Sequence, residues 1–337
     1  MKRNMIKRIL KNKRLASILC LFIVLTVALF IFINYFVPDF IIERHGENEN
    51  LFYAKTFFIS VCGALIISIF NAVVLFKKKL APYIATFKRF TPLLKMTVDR
   101  DYKKRYKRSV LGVAWSLISP LMTLLIMTMV FSLLFSRNIA NFPIYLFSGT
   151  LIFGFFSEAT NAAMNSIESN RAIINKVYVP KYIFPLTKVF LALVHLGFSL
   201  LAFAVVFLVT RAPFHWTILF LPVPLLYAFV FVLGLSMLVS CIAVFFKDFA
   251  YIYGIFLTGL QYLTPIFYPV EILPDKVRTF IGLNPLYHYI TYVRSLVLDG
   301  VFPGLWANVV CISFSLFFLF LGTIAFMANQ DRYILYI

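Results

Sequence analysis

Few side chains in this sequence have the spacing that catalysis or metal binding requires. The chain has four isolated histidines, no two of them at metal-ligand spacing: His45, His195, His215 and His288. Glu271 and Asp275 flank Pro274, which predicts a surface turn rather than the paired carboxylates of acid–base catalysis. The 13 glycines are scattered and form no Walker A loop. The sequence therefore predicts no catalytic residue, no metal site and no nucleotide-binding loop in this chain.

Four polar residues within and just after an apolar stretch are three or four residues apart, so they form a polar stripe on one face of a helix. Its members are Glu158, Asn161, Asn165 and Glu168. Ionisable residues inside a membrane usually face the interior of a helix bundle or an aqueous path. Hydrogen bonding between helices, without any role in transport, is the alternative interpretation of such a stripe.

The composition shows what kind of element must position these residues. The 337 residues are 62% hydrophobic and 13% charged, with a mean hydropathy of +0.91. An ordinary soluble domain has roughly 45–50% apolar and about 25% charged residues. The sequence therefore predicts an integral membrane protein. Four cysteines lie far apart inside apolar runs, which indicates small buried side chains rather than a disulfide scaffold: Cys20, Cys62, Cys241 and Cys311.

Eight apolar stretches are long enough to be membrane helices, since crossing about 30 Å of hydrocarbon takes about 20 residues. The fold class predicted is all-α, with two N-terminal spans followed by a six-helix core. The spans are Leu15 to Val37, Thr56 to Phe76, Leu111 to Phe135, Phe142 to Met164, Phe184 to Thr210, Ile218 to Phe246, Phe249 to Tyr268, and Leu305 to Met327.

The net charge of +19 follows the same topology. Basic residues concentrate before the first span, between Lys2 and Arg14, and after the second, between Lys77 and Arg108. Because cytoplasmic loops carry the excess of Lys and Arg, both termini are predicted to be cytoplasmic and nucleic acid is not expected as a partner. A cleaved signal peptide is the weaker alternative for the first span, because its apolar run exceeds the usual length.

Three segments are neither spans nor simple loops. From Pro82 to Ser109, apolar and basic residues alternate with a helical period, which predicts an amphipathic helix on the inner membrane surface with its tyrosines toward the lipid. A solvated basic linker is the alternative. The chain is therefore predicted to have three parts. They are an N-terminal extension with two spans (1–80), this cytoplasmic interfacial segment (81–110) and the six-helix core (111–337). The interfacial residues are Arg100, Tyr102, Lys103, Arg105, Tyr106 and Lys107.

The second such segment is the loop from Ser169 to Pro185. Its apolar Ile173, Ile174 and Val177 alternate with Arg171 and Lys176 before Pro180, which predicts a short amphipathic helix. A helix of this kind suits contact with a soluble partner, and a simple interfacial anchor is the alternative.

The third segment runs from Tyr262 to Val301 and is divided by four prolines. Its apolar pieces are too short to cross a membrane, which predicts re-entrant or interfacial helices on the outer face and an outer gate built from them. The gate candidates are Thr264, Pro265, Tyr268, Pro269, Asn284, Pro285 and Arg294.

A series of motifs in fixed order carries a family resemblance. They are RDYKKRYKRSVLGVAW from Arg100, SPLMT from Ser119, VFSLLF from Val130, SNRAIINKVYVPKYIFP from Ser169, FFKD from Phe245, TPIFYP from Thr264, NPL from Asn284 and YVR from Tyr292. From about Thr97 onward, the chain resembles the permease subunit of ABC-2 type exporters of lipid-linked polysaccharides.

The resemblance implies a homodimer of permeases held by two separate ATPase subunits in the cytoplasmic membrane of a bacterium. ATP and Mg²⁺ would be bound by the ATPase, with no cofactor in this chain. The implied substrate is a polyprenyl-diphosphate-linked glycan of the O-antigen, capsule or teichoic acid type. The implied coupling residues are Asn170, Arg171, Ile174, Lys176, Val177, Pro180 and Lys181, with Lys247 and Asp248 in a second contact.

Aromatic side chains suit such a substrate because their rings offer apolar faces to sugars. The chain has 40 Phe and 18 Tyr. Packing against lipid is the alternative for any one of them. The predicted path residues are Trp115, Tyr145, Phe147, Phe153, Phe155, Phe156 and Tyr262.

The chain departs from the family pattern in its first 80 residues. We expect the two extra spans there to pack on the rim of the dimer and to recruit a partner or the lipid carrier. Two other classes of function remain open from the sequence. A membrane-embedded transferase would need clustered acids or a metal site, and an ion-coupled flippase would need more intramembrane charge and internal repeats.

Overall fold

The computed structural model describes residues 89–107, 109–135, 139, 141–176 and 179–335. These residues form helices and short helical turns, with no strand among them, which confirms the all-α prediction. The two predicted N-terminal spans, with the whole segment 1–80, lie outside the described residues.

Ten α-helices follow one another along the described chain. They are α1 (89–106), α2 (Trp115–Phe135), α3 (Phe142–Met164), α4 (Arg171–Ile174), α5 (Ile183–Val209), α6 (Pro222–Phe245), α7 (Phe249–Leu263), α8 (Asp275–Ile281), α9 (Pro285–Arg294) and α10 (Leu305–Asn329).

Five of these helices, α2, α3, α5, α6 and α10, are long and apolar enough to cross a membrane. The sixth predicted span, Phe249 to Tyr268, is only partly helical. Its helix α7 has 15 residues, about 22 Å, which falls short of a bilayer core of about 30 Å. Pro265 disfavours a helical conformation for the residue before it, so Thr264 is extended and the helix ends at Leu263.

Helix starts follow local signals in the sequence. Asn141 adopts a left-handed conformation with φ of 53° before α3, and Pro143 follows in the first turn. At α9, the side chain of Asn284 accepts a hydrogen bond from the Leu286 amide at 3.0 Å, and Pro285 occupies the first helical position. These caps fix where the two helices begin.

Helix α3 is the central element of the bundle, since α2, α5, α6, α7 and α9 all pack against it. Its phenylalanines interlock with rings of its neighbours. Phe147 meets Phe203 of α5 at a centroid distance of 5.5 Å, and Phe156 stacks on Phe231 of α6 at 6.0 Å. Aromatic packing of this kind holds the spans together without polar groups.

The second half of α10 crosses α6 at two glycines. A Cβ atom at Gly234 would fall on the backbone of Leu319, and one at Gly322 on the backbone of Gly234. Small residues let membrane helices approach this closely.

The described chain divides into two compact units. The bundle comprises Phe90–Pro303 and Phe318 onward, whereas Arg89 and Gly304–Phe317 belong to the other unit. Within the latter, serine hydroxyls bond back along the first half of α10, as Ser313 Oγ does to the Val309 carbonyl at 2.6 Å.

Candidate functional site

Helix α1 is attached to α5 by an ion pair at one end of the bundle. Lys188 Nζ of α5 donates to Asp101 Oδ2 at 2.7 Å, and Arg100 Nη2 donates to Asp101 Oδ1 at 2.9 Å. Burial raises the pKa of the Asp101 carboxyl, but the bonds from Lys188 and Arg100 outweigh it and hold that pKa below its usual value. The carboxylate is therefore ionised at neutral pH.

One helical turn further along α1, Arg105 reaches a carboxylate within the bundle. Its Nη1 donates to Glu158 Oε1 of α3 at 2.5 Å and lies 2.9 Å from Nδ1 of His195 in α5. That same Nδ1 lies 2.7 Å from Glu158 Oε1. Three helices thus meet at one charged cluster.

The tyrosines of α1 contact the bundle, although the helical pattern of the sequence predicts that they face lipid. The ring of Tyr102 stacks on Phe198 of α5 with centroids 6.3 Å apart, and Tyr106 shares a short hydrogen bond with Ser116 of α2. Arg105 and Tyr106 follow Tyr102 by three and four residues, and the three therefore share one face of α1. Because Arg105 pairs with Glu158 of α3, this face is turned toward the bundle. The other predicted interfacial residues, Lys103 and Lys107, are exposed.

We predict that Asp101→Asn loosens α1 from α5, because the neutral amide loses the Lys188 ion pair. A hydrogen bond to a charged group contributes about 1.5–3 kcal/mol. Amide hydrogen exchange in α1 at pH 7 should accelerate in the variant. Since the pKa of Asp101 is lowered by folding, its contribution is present at neutral pH and is lost as pH falls below about 4.

The matched control for this prediction is Asp99→Asn, because Asp99 pairs with Lys103 on the exposed side of the same helix. Exposed pairs contribute about 0–1 kcal/mol, so exchange should hardly change. Equal acceleration in both variants would contradict the role given to Asp101.

A cavity of about 200 Å³ lies between α2, α3 and α5. Hydroxyl and aromatic side chains line it, among them Ser119, Thr123, Phe147 and Phe155. Glu158 and His195 also line it, so the charged cluster adjoins this space.

The two predicted coupling contacts meet in one groove, which we call the coupling groove. It is lined by Met164, Asn165, Glu168, Arg171, Ala243, Val244, Lys247 and Ala250. The loop after α3 and the loop between α6 and α7 are far apart in sequence, and their cations Arg171 and Lys247 are both exposed here. Asp248 is exposed beside Lys247 but does not line the groove.

A hydrophobic cluster supports the loop that carries the groove. Ile173 and Ile174 pack against buried residues from α1, α5, α6 and the C-terminal turn, among them Leu94, Ile183 and Tyr333. The cluster also includes Phe326 of α10, so it joins the loop to five other parts of the bundle.

Polar contacts fix the same loop. Asn170 is buried, and its Nδ2 donates to the Ser166 carbonyl at 2.8 Å. Pro180 accepts from the Ile183 amide, and Lys181 donates to the carbonyl of Gln330. Lys176 is exposed, and Val177 lies outside the described residues.

At the opposite end of the bundle, Arg294 is almost fully buried and holds a non-helical segment. Its Nη1 donates to the Pro265 carbonyl at 2.8 Å, and its Nη2 to the Ile266 and Tyr145 carbonyls at 3.1 and 3.3 Å. The guanidinium carbon also lies 3.5 Å from the centroid of the Tyr145 ring. Backbone that leaves a helix at membrane depth needs donors of this kind.

The other predicted gate residues join the same cluster. Asn284 Nδ2 donates to Thr264 Oγ1 at 2.8 Å, which links the end of α7 to the start of α9. The Tyr145 hydroxyl donates to the Tyr268 carbonyl at 2.9 Å, and the Tyr268 hydroxyl to the Tyr262 carbonyl at 2.7 Å. Pro269 and Pro285 mark the two ends of the intervening segment.

The predicted path residues occupy two kinds of place. Phe147, Phe153, Phe155 and Phe156 are buried in the bundle, with only Phe147 and Phe155 on the cavity. Trp115 and Tyr262 are exposed on the outside of the bundle, 46% and 61% respectively.

Sequence reasoning did not identify Lys188, His195 and Asp101 as partners. A usable signal was present, since Lys188 and His195 are seven residues apart in an apolar helix and thus share one face. The described residues include no group of three or more His, Cys, Asp or Glu that could hold a metal.

These features define an all-α integral membrane protein. It has an exposed groove at one end of the bundle and, at the other, a non-helical segment after α7 that is held by Arg294. Residues 92–298 match the family model described as ABC-2 type transporter. That match covers more than half of the chain, which therefore belongs to the ABC-2 type transporter membrane family.

Relatives of this chain are named as export or transport proteins for O-antigen, polysialic acid and capsule polysaccharide. The chain is 27% identical over 217 residues to the O-antigen export system permease protein RfbA of Myxococcus xanthus, covering 64% of this chain and 84% of that protein. It is 23% identical over 247 residues to the polysialic acid transport protein KpsM of Escherichia coli, covering 70% and 95%. It is 22% identical over 193 residues to the capsule polysaccharide export inner-membrane protein CtrC of Neisseria meningitidis, covering 56% and 72%.

Proposed function

We propose that this chain is the permease subunit of an ABC exporter for a polyprenyl-diphosphate-linked cell-surface polysaccharide. A separate ATPase subunit, which binds ATP and Mg²⁺, supplies the energy. Two permeases and two ATPases form the complex in the cytoplasmic membrane, with the coupling groove and both termini of the permease on the cytoplasmic side. O-antigen and capsule polysaccharides, which the relatives export, are the leading substrate classes, and teichoic acid is a third.

The observation that carries the proposal is the coupling groove, which brings two predicted partner contacts together on one exposed surface. The hydrophobic cluster beneath it connects this surface to α1, α5, α6 and the C-terminal turn. A partner whose contact with this surface changes with its ATP state would move several spans at once, because the cluster packs those spans against the same loop. It would act only through different contacts with two conformations, since equal binding to both shifts nothing.

The exposed side of α7 supports a path between two copies. Tyr251, Ile255, Thr258 and Tyr262 lie on one face of this helix and are all exposed. A helix too short to span alone, with hydroxyl and aromatic groups on its open face, is suited to a polar path rather than to lipid. The exposed face of α2, including Met122, Ile126 and Met129, supplies apolar surface for a second copy.

The test is depletion of this chain in the bacterium that produces it. We expect lipid-linked glycan to be made at the normal rate, to accumulate inside the cell, and to fall at least tenfold at the surface. Radiolabelled sugar incorporation with and without membrane permeabilisation measures both pools. A halt in synthesis of the lipid-linked glycan itself would contradict transport and favour the transferase.

A further inference from the structure

Three charged side chains line the coupling groove, and none has a partner among the described residues. Glu168, Arg171 and Lys247 are exposed, and their side chains form no ion pair or hydrogen bond within those parts of the chain. Lys188 and Arg105, by contrast, are paired with Asp101 and Glu158. The lining of the groove thus offers unpaired charge on the surface where a partner is proposed to bind.

The groove has room for a small polar group and the charge to bind an acidic one. Its volume is about 50 Å³, and a cavity needs about 10–15 Å³ on the same measure to hold one water molecule. Arg171 and Lys247 contribute two positive charges and Glu168 one negative charge, so the lining has an excess of one positive charge. A guanidinium fork binds a carboxylate through two parallel hydrogen bonds, and an ammonium adds a third donor.

We infer that the coupling groove receives a single Asp or Glu side chain of the ATPase subunit, held between Arg171 and Lys247. This inference rests on the proposed function and specifies the chemistry of its partner contact. Glu168 stands at the same groove and repels the incoming carboxylate, so it lowers the affinity of the contact and keeps it reversible.

The two cations belong to different elements, which gives the contact a mechanical consequence. Arg171 begins the short helix after α3, whereas Lys247 precedes α7. A carboxylate bound to both ties the end of the central helix to the start of α7. The far end of α7 leads into the segment that Arg294 holds, so engagement at the groove constrains the helix that reaches the opposite end of the bundle.

The test measures the affinity of the purified ATPase subunit for this full-length permease in lipid nanodiscs. Arg171→Gln and Lys247→Gln should each weaken binding about tenfold at low salt, whereas Glu168→Gln should tighten it several-fold. The two weakened variants should also lose much of the salt dependence of binding, since a charge pair is screened by salt. Lys95→Gln, which removes an exposed cation from α1 outside the groove, is the matched control and should not change the affinity.

Whether Glu168→Gln raises or lowers the affinity for the ATPase shows whether the partner side chain is acidic or basic. Tighter binding of Arg171→Gln together with weaker binding of Glu168→Gln would mean a basic partner side chain and would overturn the inference. Unchanged affinity in both cation variants would overturn it as well, while leaving the proposed function in place. Failure of the unaltered permease to bind the ATPase would instead refute the proposed function.

A charge exchange provides a second test, which does not depend on the stability of a single variant. Arg171→Glu should lose the ATPase, and an Asp or Glu to Arg substitution in the ATPase should restore binding to that variant alone. Absence of any restoring position among the surface acids of the ATPase would overturn the inference.

Discussion

Arg294→Met is expected to destabilise the folded bundle by about 3 kcal/mol or more and to abolish export. Methionine fills much of the same space but leaves the buried carbonyls of Pro265 and Ile266 without this donor, whereas the Tyr145 carbonyl still accepts from the Ser148 hydroxyl. Each buried acceptor left unsatisfied costs about 1–3 kcal/mol. Thermal unfolding in detergent, together with protease cleavage between Thr264 and Asn284, measures the loss.

Arg278→Met is the matched control, because Arg278 is exposed on α8 within the same outer segment. Its unfolding temperature should stay within about a degree of the unaltered protein, since exposed substitutions usually change stability by less than about 0.5 kcal/mol. Arg294→Lys should fall between the two, because one ammonium cannot reach all three carbonyls with the fork geometry. Normal stability and export in Arg294→Met would show that the pinned segment does not depend on this side chain.

Gly234→Ala is the second substitution with a large expected effect. The added methyl group would overlap the backbone of Leu319, so α6 and α10 must move apart along their crossing. Overpacking by a methylene usually costs about 1–3 kcal/mol when side chains can adjust, and here the obstacle is backbone. We expect a lower yield of folded protein and a large fall in unfolding temperature.

Gly197→Ala is the control for the crossing, since a Cβ at Gly197 of α5 meets no atom within 4 Å. Alanine stabilises a helix by about 1 kcal/mol relative to glycine, so this variant should be neutral or slightly more stable. If Gly234→Ala behaves in the same way as Gly197→Ala, the two helices do not cross as closely as described.

The spans of the bundle could be predicted because lipid imposes length and composition on every crossing helix. Five of the six predicted core spans are long apolar helices. The sixth was wrong in its extent, because hydropathy continued through Ile266 and Phe267 although the helix had ended at Leu263. Pro265 held the local signal for that ending, and the apolar residues after it obscured the signal.

The candidate site could be predicted only in pieces. Motifs placed Arg294 in the outer segment, but its partners are backbone carbonyls, which have no sequence signature. The polar stripe of α3 also divided in a way that its spacing does not show. Glu158 pairs with α1, whereas Asn165 and Glu168 line the coupling groove. Such pairings depend on which helices become neighbours, and local periodicity does not determine that.

The buried phenylalanines illustrate the same limit. Phe153 and Phe156 of α3 fill the interior of the bundle, whereas Trp115 and Tyr262 are open to its surroundings. Composition alone does not distinguish these two environments, since aromatic residues occur in both. The exposed face of α7 is therefore a better guide to a path than the number of aromatic residues.

The most direct test of the proposed exporter is reconstitution of this chain with its ATPase subunit and a radiolabelled polyprenyl-diphosphate-linked glycan in proteoliposomes. We expect the glycan to cross the bilayer only when both proteins and hydrolysable ATP are present, and to stay in place with an ATPase variant that lacks its Walker A lysine. Movement of the glycan at the same rate without ATP or without the ATPase would contradict the account.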